Sequence, residues 1–388
     1  MQDLILLLVL AVLLGAVVVS IGYWLLASAV IAAWMREPRR TSTETPPLTL
    51  LRPLKNNAPG LLETLDALAR AARADDQIVL GVERGSEAAS QCERWRARFS
   101  ERDISVVSCA AEAALNPKIA KLMQMTPHVR HEHWVLSDCE AIFDAEFLTA
   151  FRAEWADSRA DALTCGYRFI GLRTWPQQLD AAAALLTLWP GLACVRRFAT
   201  VRWTLGACTG MRRSDLAALG GWAAFGDDLA EDNRLGAALV CAGRTVRLSR
   251  EVVTLASDAL TWREYWRHQR RVAVTYRVAN PAGFAGSLFV QGLPLAALAM
   301  CVPHPLAPSI GATMFFLAWV ARYFGARDAA RRLDFPIPRL VRVIVVASFV
   351  ETVCWLFAWF SLRVWWAGKW WRVSHDGKLR PVENEIAG

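Results

Sequence analysis

The chain has 388 residues, 54% of them hydrophobic, a formal charge of +8 and a positive mean hydropathy. That length suits one large or two ordinary domains, and that composition points to a membrane rather than to a freely soluble protein. No basic-aromatic stripe in the polar part accompanies the positive charge, which sets nucleic-acid binding aside in favour of basic flanks beside apolar helices and an anionic lipid surface as partner. The nine cysteines are odd in number and scattered, with no Cys-x-x-Cys pair. They read as reduced side chains, not as a disulfide framework or a zinc site.

From Leu4 to Met35 no charged residue occurs, a run longer than the roughly 20 residues that cross a hydrocarbon core. It predicts a retained membrane anchor over 1–35. A cleaved secretory signal fits less well, because the run is too long, starts beside Asp3 instead of a basic cluster, and offers no clear small-residue cleavage site. Arg36, Arg39 and Arg40 follow at once, which places the next domain on the cytosolic side. Glu37 to Pro47 carries Pro, Thr and Glu and reads as a short joint.

Beyond the joint the pattern changes. Leu48 to Leu51, Gln77 to Val82, Ile104 to Ser108 and Trp134 to Ser137 are short apolar runs separated by helical stretches such as Gly60 to Ala74 and Ser86 to Phe99. Strands alternating with helices predict an α/β domain over 36–258, Rossmann-like, with a mostly parallel sheet covered on both faces. Ligands of such sheets bind outside the carboxyl ends of the strands. Asp138-Cys139-Glu140 stands just past one of those ends.

Two carboxylates one residue apart on a turn can both reach a divalent ion such as magnesium or manganese, leaving its other positions to phosphate oxygens. A solvated acidic loop is the plain alternative. Glu231-Asp232 follows a turn-rich stretch through Gly220-Gly221 and can supply a general base; it can equally be the acidic first turn of a helix facing its own dipole. Trp262 to Arg271 alternates aromatic and cationic residues, including His268 and Arg271. This predicts an interfacial amphipathic helix over 259–281, whose arginines either snorkel at the headgroups or hold a departing phosphate. His128, His131 and His133 lack a fourth ligand at zinc-like spacing and read as loop residues.

The remainder, 282–388, reads as a second membrane region with a basic, aromatic tail. Val278 to Val320 contains no Asp, Glu, Lys or Arg but is interrupted by Pro303, Pro305 and Pro308, so two shorter segments joined by a tight turn fit it. A third run, Val343 to Leu362, holds one acid, Glu351. Glu351 marks that segment either as re-entrant or as a span whose acid faces neighbouring helices. Three or four spans are expected in all. Trp365, Trp366, Trp370 and Trp371 are expected at a lipid–water boundary.

Several segments in order carry a family likeness: Leu50-Leu51-Arg52-Pro53-Leu54-Lys55, Asn116-Pro117-Lys118-Ile119-Ala120, Ser137-Asp138-Cys139-Glu140, Leu163 to Arg168, Leu229-Ala230-Glu231-Asp232, Arg267-His268-Gln269-Arg270-Arg271, and Gly283 to Leu288. Through nearly its whole length the sequence resembles the ceramide glucosyltransferase family, glycosyltransferase family 21, and looks most like its bacterial hopanoid-biosynthesis branch. The resemblance implies a GT-A nucleotide-diphospho-sugar transferase fold at a bacterial inner membrane, and inverting transfer from a UDP-sugar to a lipid hydroxyl of ceramide or hopanoid type. Glucose and N-acetylglucosamine are the sugars it brings into view. It further implies that Asp138 and Glu140 hold a divalent cation, that Asp232, beside Glu231, is the general base, and that Lys118 is the basic residue after the motif asparagine. His268 and Arg271 match the Gln/Arg/His-x-x-Arg-Trp motif.

Three departures bear on substrate identity and activity. The family's first aspartate, after the second strand, is missing from Gly81 to Glu87, where Glu83 or Glu87 can substitute; Glu140 stands where aspartate is usual; and Val272 replaces the motif tryptophan. The alternatives are a processive polysaccharide synthase of the related family 2 and a catalytically impaired protein that binds lipid or nucleotide. Oligomeric state is not legible.

Overall fold

The computed structural model describes residues 1–56, 58 and 60–382, which form two compact units. One comprises Glu37–Gly171, Phe198–Ala259 and the chain from Trp371; the other comprises Met1–Arg36, Leu172–Arg197 and Leu260–Trp370.

The first unit is built on an eight-stranded sheet. Its strands are β1 Leu48–Pro53, β2 Gln77–Glu83, β3 Asp103–Cys109, β4 His133–Leu136, β5 Ala141–Ile142, β6 Ala162–Ile170, β7 Thr209–Arg212 and β8 Val246–Ala256, in the order β3-β2-β1-β4-β7-β6-β8-β5. The first four run parallel, as the alternation of apolar runs and helices predicts, and each lies within about two residues of its expected bounds. β1 is buried along its whole length, the mark of a strand covered on both faces. Helix Leu61–Ala71 turns Leu61, Leu65 and Leu68 inward, and helix Glu87–Arg96, capped by Ser86, adds Cys92 and Trp95 to the same core.

The other four strands escape sequence reading because they are short or irregular. β7 is only four residues long and runs antiparallel to both β4 and β6. This insertion decides the site. Since Leu136 at the end of β4 pairs with Thr209 at the start of β7, the loop leading into β7 arrives beside the carboxyl end of β4.

The amino-terminal ends of the strands are tied by a buried ion pair. Arg152 reaches Asp76 through two bonds of 2.6 and 3.0 Å, and Asp76 also accepts the amides of Leu48 and Arg73. Near the end of the chain, Trp371–Val373 pairs antiparallel with Leu379–Pro381, and this hairpin bonds Asp227 and Leu229. Trp371, expected at a lipid–water boundary, is fully buried there.

The second unit is helical. Gln2–Met35, Trp175–Phe198 and Leu340–Phe360 are long and apolar enough to cross a membrane, and the pair Pro281–Val290 and Gly292–Met300, bent by 57°, makes up to four spans. That number agrees with the sequence reading, but the members differ. Trp175–Phe198 lies inside the stretch expected to belong to the 36–258 domain, disguised by Gln177, Gln178 and Asp180 in its first turns. Glu351 meets Arg322 of helix Ala307–Arg332 at 3.1 Å, the buried-acid arrangement of the two anticipated. The helix expected over 259–281 runs Trp262–Ala279 behind a capping box of Thr261 and Glu264. Its arginines lie over aromatic rings, Arg267 at 4.3 Å from Trp365 and Arg277 at 4.8 Å from Trp359.

Candidate active site

At the carboxyl ends of β1, β2 and β4 the sheet unit gathers charged groups from five segments. Lys118 is central. Asn116 caps helix Pro117–Met125 by accepting the amides of Lys118 and Ile119, and it donates to Glu231 at 3.0 Å and to the Asp228 carbonyl at 2.9 Å. The cap fixes the first turn, so Lys118 projects its ammonium between two acids, 2.8 Å from Asp138 and 2.8 Å from Glu231. Burial opposes its charge, but Asp138, Glu231 and Asp232 outweigh burial and hold the ammonium well above its ordinary range.

Asp232 is reached through Gly206. The Gly206 amide donates to one Asp232 oxygen at 2.9 Å, and the Asn233 amide donates to the other at 2.8 Å. Gly206 in turn accepts the Asp138 amide at its carbonyl, 3.0 Å away. Helix Glu231–Cys241 comes this close because Gly236 lies flat on the backbone of Trp203, where a β-carbon would stand 2.2 Å from the Trp203 α-carbon. Burial and the neighbouring Glu231 carboxylate push Asp232 up to about 6, against the pull of Lys118. A carboxylate so tuned, partly exposed, is matched to taking a proton near neutrality.

Glu140 is nearly buried and is paired with Lys55, while the Cys139 side chain between the two acids turns into the core. Beneath the turn Arg52 is fully buried, donates to Ser137 at 3.0 Å and to the Thr64 carbonyl at 3.3 Å, and lies over Phe143. Burial lowers Arg52 to about 10, still cationic at neutral pH.

Among the described residues no group of three or more His, Cys, Asp and Glu side chains converges as a metal cage. Asp138 and Glu140 each offer carboxylate oxygens, the ligand type magnesium or manganese accepts, and each is held by a lysine, Asp138 by Lys118 and Glu140 by Lys55. Glu83 ends β2 at this same edge of the sheet and accepts a bond from Asn56 at 2.8 Å. Glu87 instead opens the helix after Ser86 and bonds Gln91. Of His128, His131 and His133, the last opens β4 and packs edge-on against Trp155.

His268 and Arg271 belong to the helical unit and are joined there, Arg271 Nη2 lying 3.0 Å from His268 Nδ1. Sequence reading missed Gly206, Asn116 and Lys55 as site residues. For Gly206 the available signal was the run of small residues from Gly206 to Gly210 leading into a strand, which marks close backbone approach.

The sheet, mostly parallel and curled, is that of the GT-A glycosyltransferases. The mannosyltransferase PcManGT from Pyrobaculum calidifontis, solved with GDP-Man and Mn2+, overlays with a TM-score of 0.55 at 20% identity, covering 91% of this chain and 99% of that one. S. aureus TarS 1–349, solved with UDP-GlcNAc, overlays more loosely, with a TM-score of 0.39 at 12% identity over 87% of this chain and 100% of that one. No curated protein matches the sequence. The family model for glycosyl transferase family 21 matches residues 9–379. The chain belongs to glycosyl transferase family 21.

Proposed function

We propose that this glycosyltransferase moves a hexose, glucose or N-acetylglucosamine, from a UDP-sugar to the hydroxyl of a membrane lipid of ceramide or hopanoid type, with inversion at the anomeric carbon. The observation that carries the reading is the meeting of Asp138, Lys118, Glu231 and Asp232 around Gly206. It joins a carboxylate suited to a diphosphate-bound cation with a carboxylate suited to a proton.

In this reading Asp138 and Glu140 would hold a magnesium or manganese ion, which would supply charge neutralisation to the diphosphate. Lys118 and Lys55 keep those carboxylates in place. Glu83 faces the nucleotide. Asp232 withdraws the proton of the lipid hydroxyl, with Glu231 beside it keeping its affinity for that proton high. His268 and Arg271 stabilise the departing diphosphate. The long apolar helices anchor the enzyme in the bacterial inner membrane with the sheet unit in the cytosol, as Arg36, Arg39 and Arg40 after the first helix favour.

The test uses purified protein in detergent, a panel of nucleotide sugars and extracted lipids, with products read by mass spectrometry. A hexose or N-acetylhexosamine increment on a lipid is expected, and Asp232→Asn should abolish it while nucleotide-sugar binding persists. Undiminished turnover by Asp232→Asn would remove Asp232 as base. A polymeric product would replace the lipid-transfer reading with the synthase one.

A further inference from the structure

Asp180 is an acid without an obvious reason to be where it is. It lies in the apolar helix Trp175–Phe198, between the buried Leu179 and Ala181, with its own side chain 13% exposed. A carboxylate in such a place is costly unless it is bonded. The capping box of Thr174 and Gln177 fixes the start of this helix, and with it the direction Asp180 faces.

Its partners lie on helix Trp262–Ala279. Gln269, itself 6% exposed, donates to Asp180 Oδ1 at 2.8 Å, and His268 Nε2 stands 3.4 Å from that same oxygen. On the far side of the ring, His268 Nδ1 lies 3.0 Å from Arg271 Nη2. A guanidinium has only donors, so Nδ1 is the acceptor and the imidazole proton sits on Nε2, toward the carboxylate. Spacing of three residues puts His268 and Arg271 on one helix face. The result is a carboxylate–imidazole–guanidinium chain linking the two helices.

We infer that Asp180 is a positioning residue, which holds the His268 ring so that its Nδ1 lone pair fixes the Arg271 guanidinium. The inference rests on the reading in which His268 and Arg271 act on the leaving diphosphate. A neutral side chain at 180 would satisfy Gln269 equally well; the negative charge is what makes the imidazole a stronger acceptor for Arg271.

The experiment is a double-mutant cycle on the full-length protein in detergent, with lipid transfer followed at varied UDP-sugar. His268→Gln is expected to lower kcat yet keep measurable turnover, since its side-chain amide still offers an acceptor to Arg271 and a donor to Asp180. Asp180→Asn is expected to lower kcat about 10- to 100-fold with little change in KM, and Asp180→Glu to recover part of the loss. In the His268→Gln background Asp180→Asn should then change kcat by no more than about twofold, since interacting residues are non-additive. Losses that multiply, or wild-type kcat in Asp180→Asn, overturn the positioning role. If instead Arg271→Ala leaves kcat unchanged, the underlying reading of the motif fails, whatever is seen at 180. Should Asp180→Asn not fold, Asp180→Glu carries the same cycle.

Discussion

Gly206 donates its amide hydrogen to the Asp232 carboxylate at 2.9 Å, and a β-carbon on Gly206 would stand 3.0 Å from Asp138 and 2.9 Å from Lys118. One residue without a side chain thus separates the two acids on which the site depends. Gly206→Ala should displace the Lys118–Asp138 pair by a few tenths of an ångström and lower kcat/KM by about 10- to 100-fold, because misplacement of this order is amplified in the rate. The thermal midpoint should move little, since the flexible lysine end can give way. Steady-state transfer assays with a melt on the same samples decide it, and a fully active Gly206→Ala enzyme would contradict the geometry.

Asp232 sets the pH response. With its acid held up at about 6 by burial and Glu231, the base is ionised only above that value, so activity should rise through about pH 6 and level off above it. Stability runs the other way. The folded value exceeds the unfolded one of about 3.9, so the native state binds the proton more tightly and loses stability as pH rises through about 6. Asp232→Asn should therefore melt higher than the wild type at about pH 8 and lose that advantage near pH 4. A pH–rate profile without an acidic limb would count against Asp232 as base.

The cation is the third test. Excess chelator should stop transfer, and magnesium or manganese should restore it. Glu140→Gln, which also releases Lys55, should raise the ion concentration needed for half-maximal rate by roughly tenfold. Glu140→Asp keeps the charge on a shorter arm and should fall between. Full activity in chelator would show that Asp138 and Glu140 act without a metal.

Asp76 and Arg152 concern stability alone. Both are buried, and the pair ties the start of β1 to helix Ala145–Ser158 at the sheet edge away from Asp138. Burial alone would raise Asp76, but the Arg152 guanidinium and two backbone amides outweigh it and hold the acid below its usual range. Its contribution is present above the unfolded value and lost as pH falls through the folded one. Asp76→Asn leaves Arg152 buried without its counter-charge and should cost about 3–5 kcal/mol in denaturant titrations, with transfer per folded molecule unchanged. A loss under about 1 kcal/mol would show that the pair is compensated elsewhere.

What the sequence by itself determined follows from short-range physics. The runs at 48, 77, 104 and 134 are strands because apolar residues cluster between turns, and Asp138 is placed at a strand end by counting from them. Leu4 to Met35 makes a helix able to cross a membrane by length and lack of charge, which no neighbour can alter. The resemblance carried Asp232 and Lys118 into one functional set, but nothing local in the chain says that they meet.

That was left to the tertiary structure. β7 enters between β4 and β6 against the direction of both, and so carries Gly206 to Asp138. Gly236 then lets helix Glu231–Cys241 rest on the Trp203 backbone and bring Asp232 to Gly206. The same holds for Asp180, an unremarkable acid in an apolar run until helix packing sets it beside His268. The physical reason is common to all three. Periodicity records which face of an element is apolar, whereas the choice of neighbour depends on sheet order and on contacts between residues far apart in the chain.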